Sequence, residues 1–289
     1  MIKKRKMCGS VATAYRPIIH CLIIFLVLFP TITIAQEEEW NRWETDNFII
    51  LSYDKGQGEY LYRNIEKMKD WVFARWGLPN VEFSGECKVA CVPTKELMRD
   101  VYRLDGSYAE INRTEDKINF TRLYLVLDKS PAEVIPISLT DICFAELCQR
   151  NIEIGFWARR GMAILNGTLP QIREAIVPLK DKEARDLFTS KALFSMTEKE
   201  WLVLQKESQE IFDQQAAVVC LLLRKEFGQS KFLTFLLTDN TEKDMTDIFG
   251  FSTEKRFNEA FMRYLKNLSS DIDENKTPDS YLQITPNKE

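Results

Sequence analysis

The residue best suited to proton chemistry in this chain is Glu146. It stands within the stretch FAELCQRNIEIGFWARRGMA at 144–163, seven, four and three residues beyond Leu139, Ile142 and Cys143. Those intervals put it on the apolar side of a helix. A carboxylate on a buried stripe needs a hydrogen-bonding partner, a metal ion or a raised pKa. Arg160, in the following helix, is the expected partner, the two side chains pairing to hold the helices together. A catalytic Glu146 would need a companion, either Asp141 or a Ser/Lys pair, and the spacing singles out no such set.

Metal and nucleophile chemistry is narrowed by a count. The chain has one histidine, His20, inside an N-terminal apolar segment. Without that segment no His-ligated zinc site and no Ser–His or Cys–His pair can be assembled from this chain. Five cysteines lie beyond it: Cys87, Cys91, Cys143, Cys148 and Cys220. Their spacing is not CxxC, so buried thiols are the favoured reading over a Cys-only zinc site. One bridge between Cys87 or Cys91 and Cys143 or Cys148 stays open, whereas Cys87 and Cys91 are too far apart along a strand to bridge each other and Cys143 with Cys148 is a poor pair.

Residues 145–149 read Ala145-Glu146-Leu147-Cys148-Gln149, and 157–163 read Trp157-Ala158-Arg159-Arg160-Gly161-Met162-Ala163. This arrangement resembles the active-site segment of gluzincin peptidases of the peptidase MA-like family. There, one helix carries His-Glu-x-x-His and the next opens close to Trp-x-x-Glu-Gly-x-Ala. Two His one turn apart share a zinc ion, and the Glu takes a proton from zinc-bound water. The resemblance implies that Ala145 and Gln149 stand at the histidine positions, Arg160 at the third ligand and Glu146 at the general base. Trp157, Arg159 and Gly161 would then border the former substrate cleft. Ala145 has no donor atom, Gln149 is a poor zinc ligand and Arg160 is a permanent cation. The implied site holds no metal and no other cofactor.

The likeness continues through Phe212-Asp213-Gln214-Gln215-Ala216-Ala217, Leu221-Leu222-Leu223 and Glu226-Phe227-Gly228, with Phe212 where a Tyr is common. It covers residues 43–268. It implies a catalytically inactive homologue, a pseudopeptidase that binds a peptide, a glycan or an envelope protein in the old cleft. Arg159 and Arg160 would make that cleft favour a carboxylate. The alternatives are a hydrolase with non-zinc chemistry centred on Glu146 and a structural envelope protein.

The elements that must position these residues form an α+β pattern, which the resemblance makes zincin-like. A small mixed sheet with backing helices occupies 40–150, and a helical half occupies 151–268. Strands are expected at 47–53, 87–92 and 118–127 from β-branched and aromatic content. Gly56 and Gly58 suggest a turn. Leu61, Ile65, Met68 and Val72 mark a helix that Gly77 and Pro79 end. A short helix opens at Pro93-Thr94 and runs through Tyr102, and 104–117 reads as a polar loop over the site. The central helix runs from Ser130-Pro131 to Arg150, its regular part starting beyond Pro136. After Asn166-Gly167, helices are expected at 172–179, 184–191, 210–227, 231–237, 244–249 and 254–268, with a break at Gly228.

The ends carry the localisation signal. Lys3, Lys4, Arg5 and Lys6 precede an apolar run to Thr33-Ile34-Ala35, the anatomy of a secretory signal cleaved after Ala35. An uncleaved anchor is the alternative, and it would be the sole membrane contact. Either way the protein is exported, to the periplasm or beyond the cell. Cleavage removes five basic and no acidic residues and takes the net charge from −4 to −9. An acidic chain with no basic block is not a nucleic-acid binder. Residues 269–289, poor in apolar side chains, read as a disordered tail. Asn112, Asn119, Asn166 and Asn267 head N-x-Ser/Thr triplets, which matter only in a glycosylating host.

Overall fold

The structure, a computed structural model, describes residues 40–114, 117–128, 131–238 and 240–268. The export segment at 1–35 and the tail at 269–289 lie outside the described residues. The described residues from Asn41 onward form one compact unit. No helix among the described residues is long and apolar enough to cross a membrane.

A five-stranded mixed sheet carries the first half. Its strands are β1 (Asn41–Glu44), β2 (Phe48–Ser52), β3 (Cys87–Val92), β4 (Tyr108–Thr114) and β5 (Lys117–Val126), in the order β1-β2-β3-β5-β4. The three inner strands run parallel, and β1 and β4 are antiparallel edges. Inner strands are covered on both faces, which explains the almost continuously buried FIILS and CKVACV. The two edges escaped the pattern. Asn-Arg-Trp-Glu is too short to alternate visibly, and the polar stretch expected as a loop at 104–117 contains β4. An edge strand can leave polar side chains in solvent and pair on one side only, so YAEINRT folds as a strand despite its polarity.

Helix α1 (Lys55–Trp76) begins where the glycines suggested a turn. Asp54 caps it, accepting from the Gln57 N–H at 2.8 Å. Gly58 belongs to its first turn, because a Cβ there would overlap the ring of Trp43 on β1. Gly77 ends α1 in a left-handed conformation, φ 67°. Glu66 of α1 fastens the β1–β2 turn. It accepts from Thr45 Oγ1 at 2.7 Å, the Asn47 N–H at 2.8 Å and Asn47 Nδ2 at 2.9 Å. Burial alone would raise its pKa, but these donors outweigh burial and hold the carboxyl below its usual range.

Helix α2 (Lys95–Tyr102) follows β3, and the central helix α3 (Pro131–Gln149) follows β5. Pro136 is accommodated inside α3 rather than delaying it. The expected single apolar face is an underestimate. Ile135, Leu139, Thr140, Ile142, Cys143, Phe144, Ala145, Glu146 and Leu147 are all buried. The helix is enclosed by α1, by β4 and β5, and by α4 (Phe156–Leu165).

The helical half continues with α5 (Leu169–Ile176), two 3₁₀ turns (Val177–Asp181 and Ala184–Asp186), α6 (Ser190–Ser195) and α7 (Glu198–Leu202). Then come α8 (Lys206–Leu236), α9 (Glu242–Phe249) and α10 (Glu254–Lys266). The helices expected at 172–179 and 184–191 are thus shorter and shifted, since Pro178 and the polar run after it favour 3₁₀ turns. Gly228 interrupts α8 at φ 84°, ψ 163°, as its position in the sequence suggested. The tightest contact in this half is α4 on α8. A Cβ at Gly161 would stand 2.6 Å from the Ala216 carbonyl carbon and oxygen. Replacing Gly161 by Ala should therefore cost about 3 kcal/mol in denaturant unfolding. Gly85→Ala, where a Cβ meets open space, should change stability by no more than about 0.5 kcal/mol.

Candidate functional site

Glu146 is 1% exposed, near the C-terminal end of α3. Its partner is not Arg160. The Ser84 N–H donates to Oε2 at 2.9 Å, and the Ser84 hydroxyl lies 3.1 Å from Oε1. Ser84 belongs to the loop between α1 and β3. That loop is fixed by the Phe83 N–H donating to Asn47 Oδ1 at 2.9 Å and by Phe83 packing edge-on against Phe48. Arg150 donates to the Glu82 carbonyl from the other side. The expected Glu146–Arg160 pair fails because the two residues face different neighbours: Glu146 turns toward β3, Arg160 toward α8.

One proton decides the electrostatics. The Ser84 hydroxyl also lies 3.0 Å from Gln149 Oε1, and it can donate to one acceptor at a time. If Glu146 is protonated, it donates to Ser84 and Ser84 donates to Gln149. If Glu146 is ionised, the Ser84 proton is drawn to it and the Gln149 amide must reverse, losing the Ile118 N–H now 3.4 Å from Oε1. Burial raises the Glu146 pKa. The Ser84 hydrogen bonds, and then Arg150 and Arg113, offset only part of that rise.

Arg160 of α4 spends its charge on Asp213 of α8. Nε donates to Oδ1 at 3.0 Å, and Nη2 donates to Oδ2 in a two-pronged pair. The guanidinium also lies 4.5 Å from the centre of the Trp201 ring. Asp141 belongs to this cluster, not to that of Glu146. Burial raises its pKa, with Arg160 and Arg159 opposing. Five residues along a helix is a rotation of about 140°, so Asp141 and Glu146 leave α3 on different sides. They do not form a catalytic pair.

The remaining expected positions fall as follows. Ala145 is 1% exposed within the core. Gln149 faces Ser84 and the start of β5. Trp157 is fully buried against Phe194 and Phe235, and Gly161 lies against the α8 backbone, so neither borders a cleft. Arg159 alone of the three cleft residues is half-exposed, its guanidinium 5.3 Å from the Phe156 ring centre. Its Nε and the Trp201 Nε1 are buried donors with no acceptor among the described residues. These residues do not fit a zinc ion: one has no donor atom, one offers a weak amide and one is a paired cation. Among the described residues, no group of three or more His, Cys, Asp or Glu could hold a metal ion.

The five cysteines among the described residues are free thiols, and all but Cys148 are buried. Burial pushes Cys87 and Cys91 up to about 12. Asn166 is fully buried, accepting from Trp76 Nε1 at 3.0 Å and donating to Thr140 Oγ1 at 2.8 Å, so its triplet is no glycan acceptor. Ser84 and Trp201 carry no signal in the sequence. Each lies on a segment remote from its partner and has no motif of its own, whereas Asp213 stood inside the 212–217 stretch without being matched to Arg160.

Neither a scan against protein-family models nor a search of curated proteins gives a match to the chain.

Two measurements follow from this geometry. A carboxylate with a raised folded pKa adds stability below its unfolded value and loses it as pH rises through the folded value. Lowering the pH from 7 toward 4.5 should therefore stabilise the wild type relative to Glu146→Gln in denaturant unfolding. A double-mutant cycle of Arg160→Ala with Asp213→Ala should give a coupling of about 1–2 kcal/mol, whereas Arg160→Ala with Glu146→Gln should be additive.

Proposed function

We propose that the protein is an exported, catalytically inactive relative of the peptidase MA-like metallopeptidases that binds a partner where those enzymes bind substrate. Its zinc site is lost, and its fold is zincin-like. The observation that carries this reading is that each motif position is committed to the fold's own groups. Ala145 is sealed in the core, Gln149 and Glu146 share Ser84, and Arg160 is bonded to Asp213. A general base engaged by a backbone N–H, with no metal ligand beside it, has no water to activate.

Two further features support binding. Among the described residues, strand β4 is an unpaired sheet edge running beside α3, and such an edge offers N–H and C=O groups to an extended peptide. Arg159 and Trp201 hold buried donors without acceptors among the described residues, which favours a ligand bearing a carboxylate. The basic, apolar N-terminus is the ground for proposing export.

The test is hydrolysis and metal content of the purified protein. Casein and fluorogenic peptides should survive with and without added zinc, and dialysed protein should carry no stoichiometric metal. Acidic extended peptides should bind, with Arg159→Ala weakening them by about tenfold. Stoichiometric zinc with cleavage that Glu146→Gln abolishes would overturn the reading.

A further inference from the structure

A cavity of about 680 Å³ opens in the helical half, and its wall residue Phe194 packs against Trp157 of the motif. It lies between α6, the start of α9, the 250–253 turn and the start of α10. Its volume is in the range of small-molecule sites.

The lining separates into three kinds of group. Phe194 and Phe251 are half-buried rings, with Phe257 and Met245 beneath them. The charges balance: Lys191 and Lys243 against Asp247 and Glu254. Lys243 pairs with Asp247, and Glu254 Oε1 accepts the Ser190 N–H at 3.0 Å. Several hydroxyls are committed to capping, those of Thr241 and Thr253 among them. The hydroxyls of Ser190, Ser195 and Ser252 and the Lys191 ammonium have no partner among the described residues.

Asn240 is the telling residue. It is 9% exposed, lines the cavity and holds φ 54°. Its Nδ2 donates to the Thr238 carbonyl at 2.9 Å, while its Oδ1 is buried with no donor among the described residues. An orphaned amide oxygen at the wall of a cavity costs about 1–3 kcal/mol until an O–H or N–H reaches it.

We propose that this cavity is a binding site for a neutral saccharide. A balanced set of charges selects neither an anion nor a cation. Ring faces beside hydroxyls, an ammonium and a carboxylate suit a molecule with an apolar C–H face and a rim of hydroxyls. Each sugar hydroxyl both donates and accepts, so one can give its proton to Asn240 Oδ1 or Glu254 and accept from Lys191 or a serine. Neither Arg159 nor Trp201 lines this cavity, so the site is separate from the peptide site proposed above.

Calorimetric titration of the full chain with glucose, N-acetylglucosamine, cellobiose and chitobiose tests this. At least one disaccharide should bind saturably. Asn240→Gly, which keeps the backbone conformation and removes the amide, should weaken it about tenfold. Ser252→Trp, on the exposed turn, should plug the cavity and abolish binding, with the melting temperature unchanged. Arg159→Ala should leave sugar binding intact, so this result and the peptide result above can fail separately. No heat with any of the four sugars overturns the proposal, as does binding that survives both cavity variants. Preference for glucuronate or N-acetylphenylalanine over the neutral sugars overturns the ligand class.

Discussion

A helix enclosed on all sides must find a partner for every polar atom it carries inward. That constraint governs α3 and, through it, the arrangement of both halves. Leaving one such atom unmet costs about 1–3 kcal/mol, a large share of a domain's net stability. Two polar positions on α3 meet the demand in opposite directions. Thr140 donates to the Pro136 carbonyl at 2.7 Å and accepts from Asn166, which in turn accepts from Trp76 of α1. Glu146 is met by Ser84, on the loop that α1 leads into. The relay ties α1, α3 and the end of α4 into one buried chain, and the Ser84 contact closes the same triangle at its other end.

The second half is joined by different means. Gly161 lets α4 approach the α8 backbone, and the Arg160–Asp213 pair sits at the margin of that contact. A pair with side chains 29% and 14% exposed gains less from Coulomb attraction than a fully enclosed one, but it also loses less hydration. Its chief effect is orientation. With Asp213 claiming the guanidinium, Arg160 is drawn toward α8 and Trp201, leaving Glu146 to the sheet side.

Inner strands and amphipathic helices were legible because burial writes a period into the sequence. Residues 48–51 and 89–92 are apolar throughout, and Leu61, Ile65, Met68 and Val72 keep helical spacing. Edge strands β1 and β4 were not legible, since one exposed side removes the signal. Gly58 misled for a similar reason: its small size answers to Trp43, a contact across elements rather than a local turn. The site was half legible. The need of Glu146 for a partner follows from its position alone, but the partner's identity depends on how a loop more than sixty residues earlier folds back. Arg160 was matched to the wrong acid because sequence proximity favoured Glu146, while α8 brought Asp213 closer.

The enclosed thiols carry a consequence for how the molecule opens. With burial pushing Cys87 and Cys91 up to about 12, the thiolate is scarce there at neutral pH. Alkylating reagents are thus blocked twice, by packing and by protonation. Cys87 and Cys91 sit on an inner strand, Cys143 in the central helix and Cys220 in α8. Modification at these four sites would clock the breathing of sheet, axis and helical half separately, with half-exposed Cys148 as the reference that reacts in the closed state.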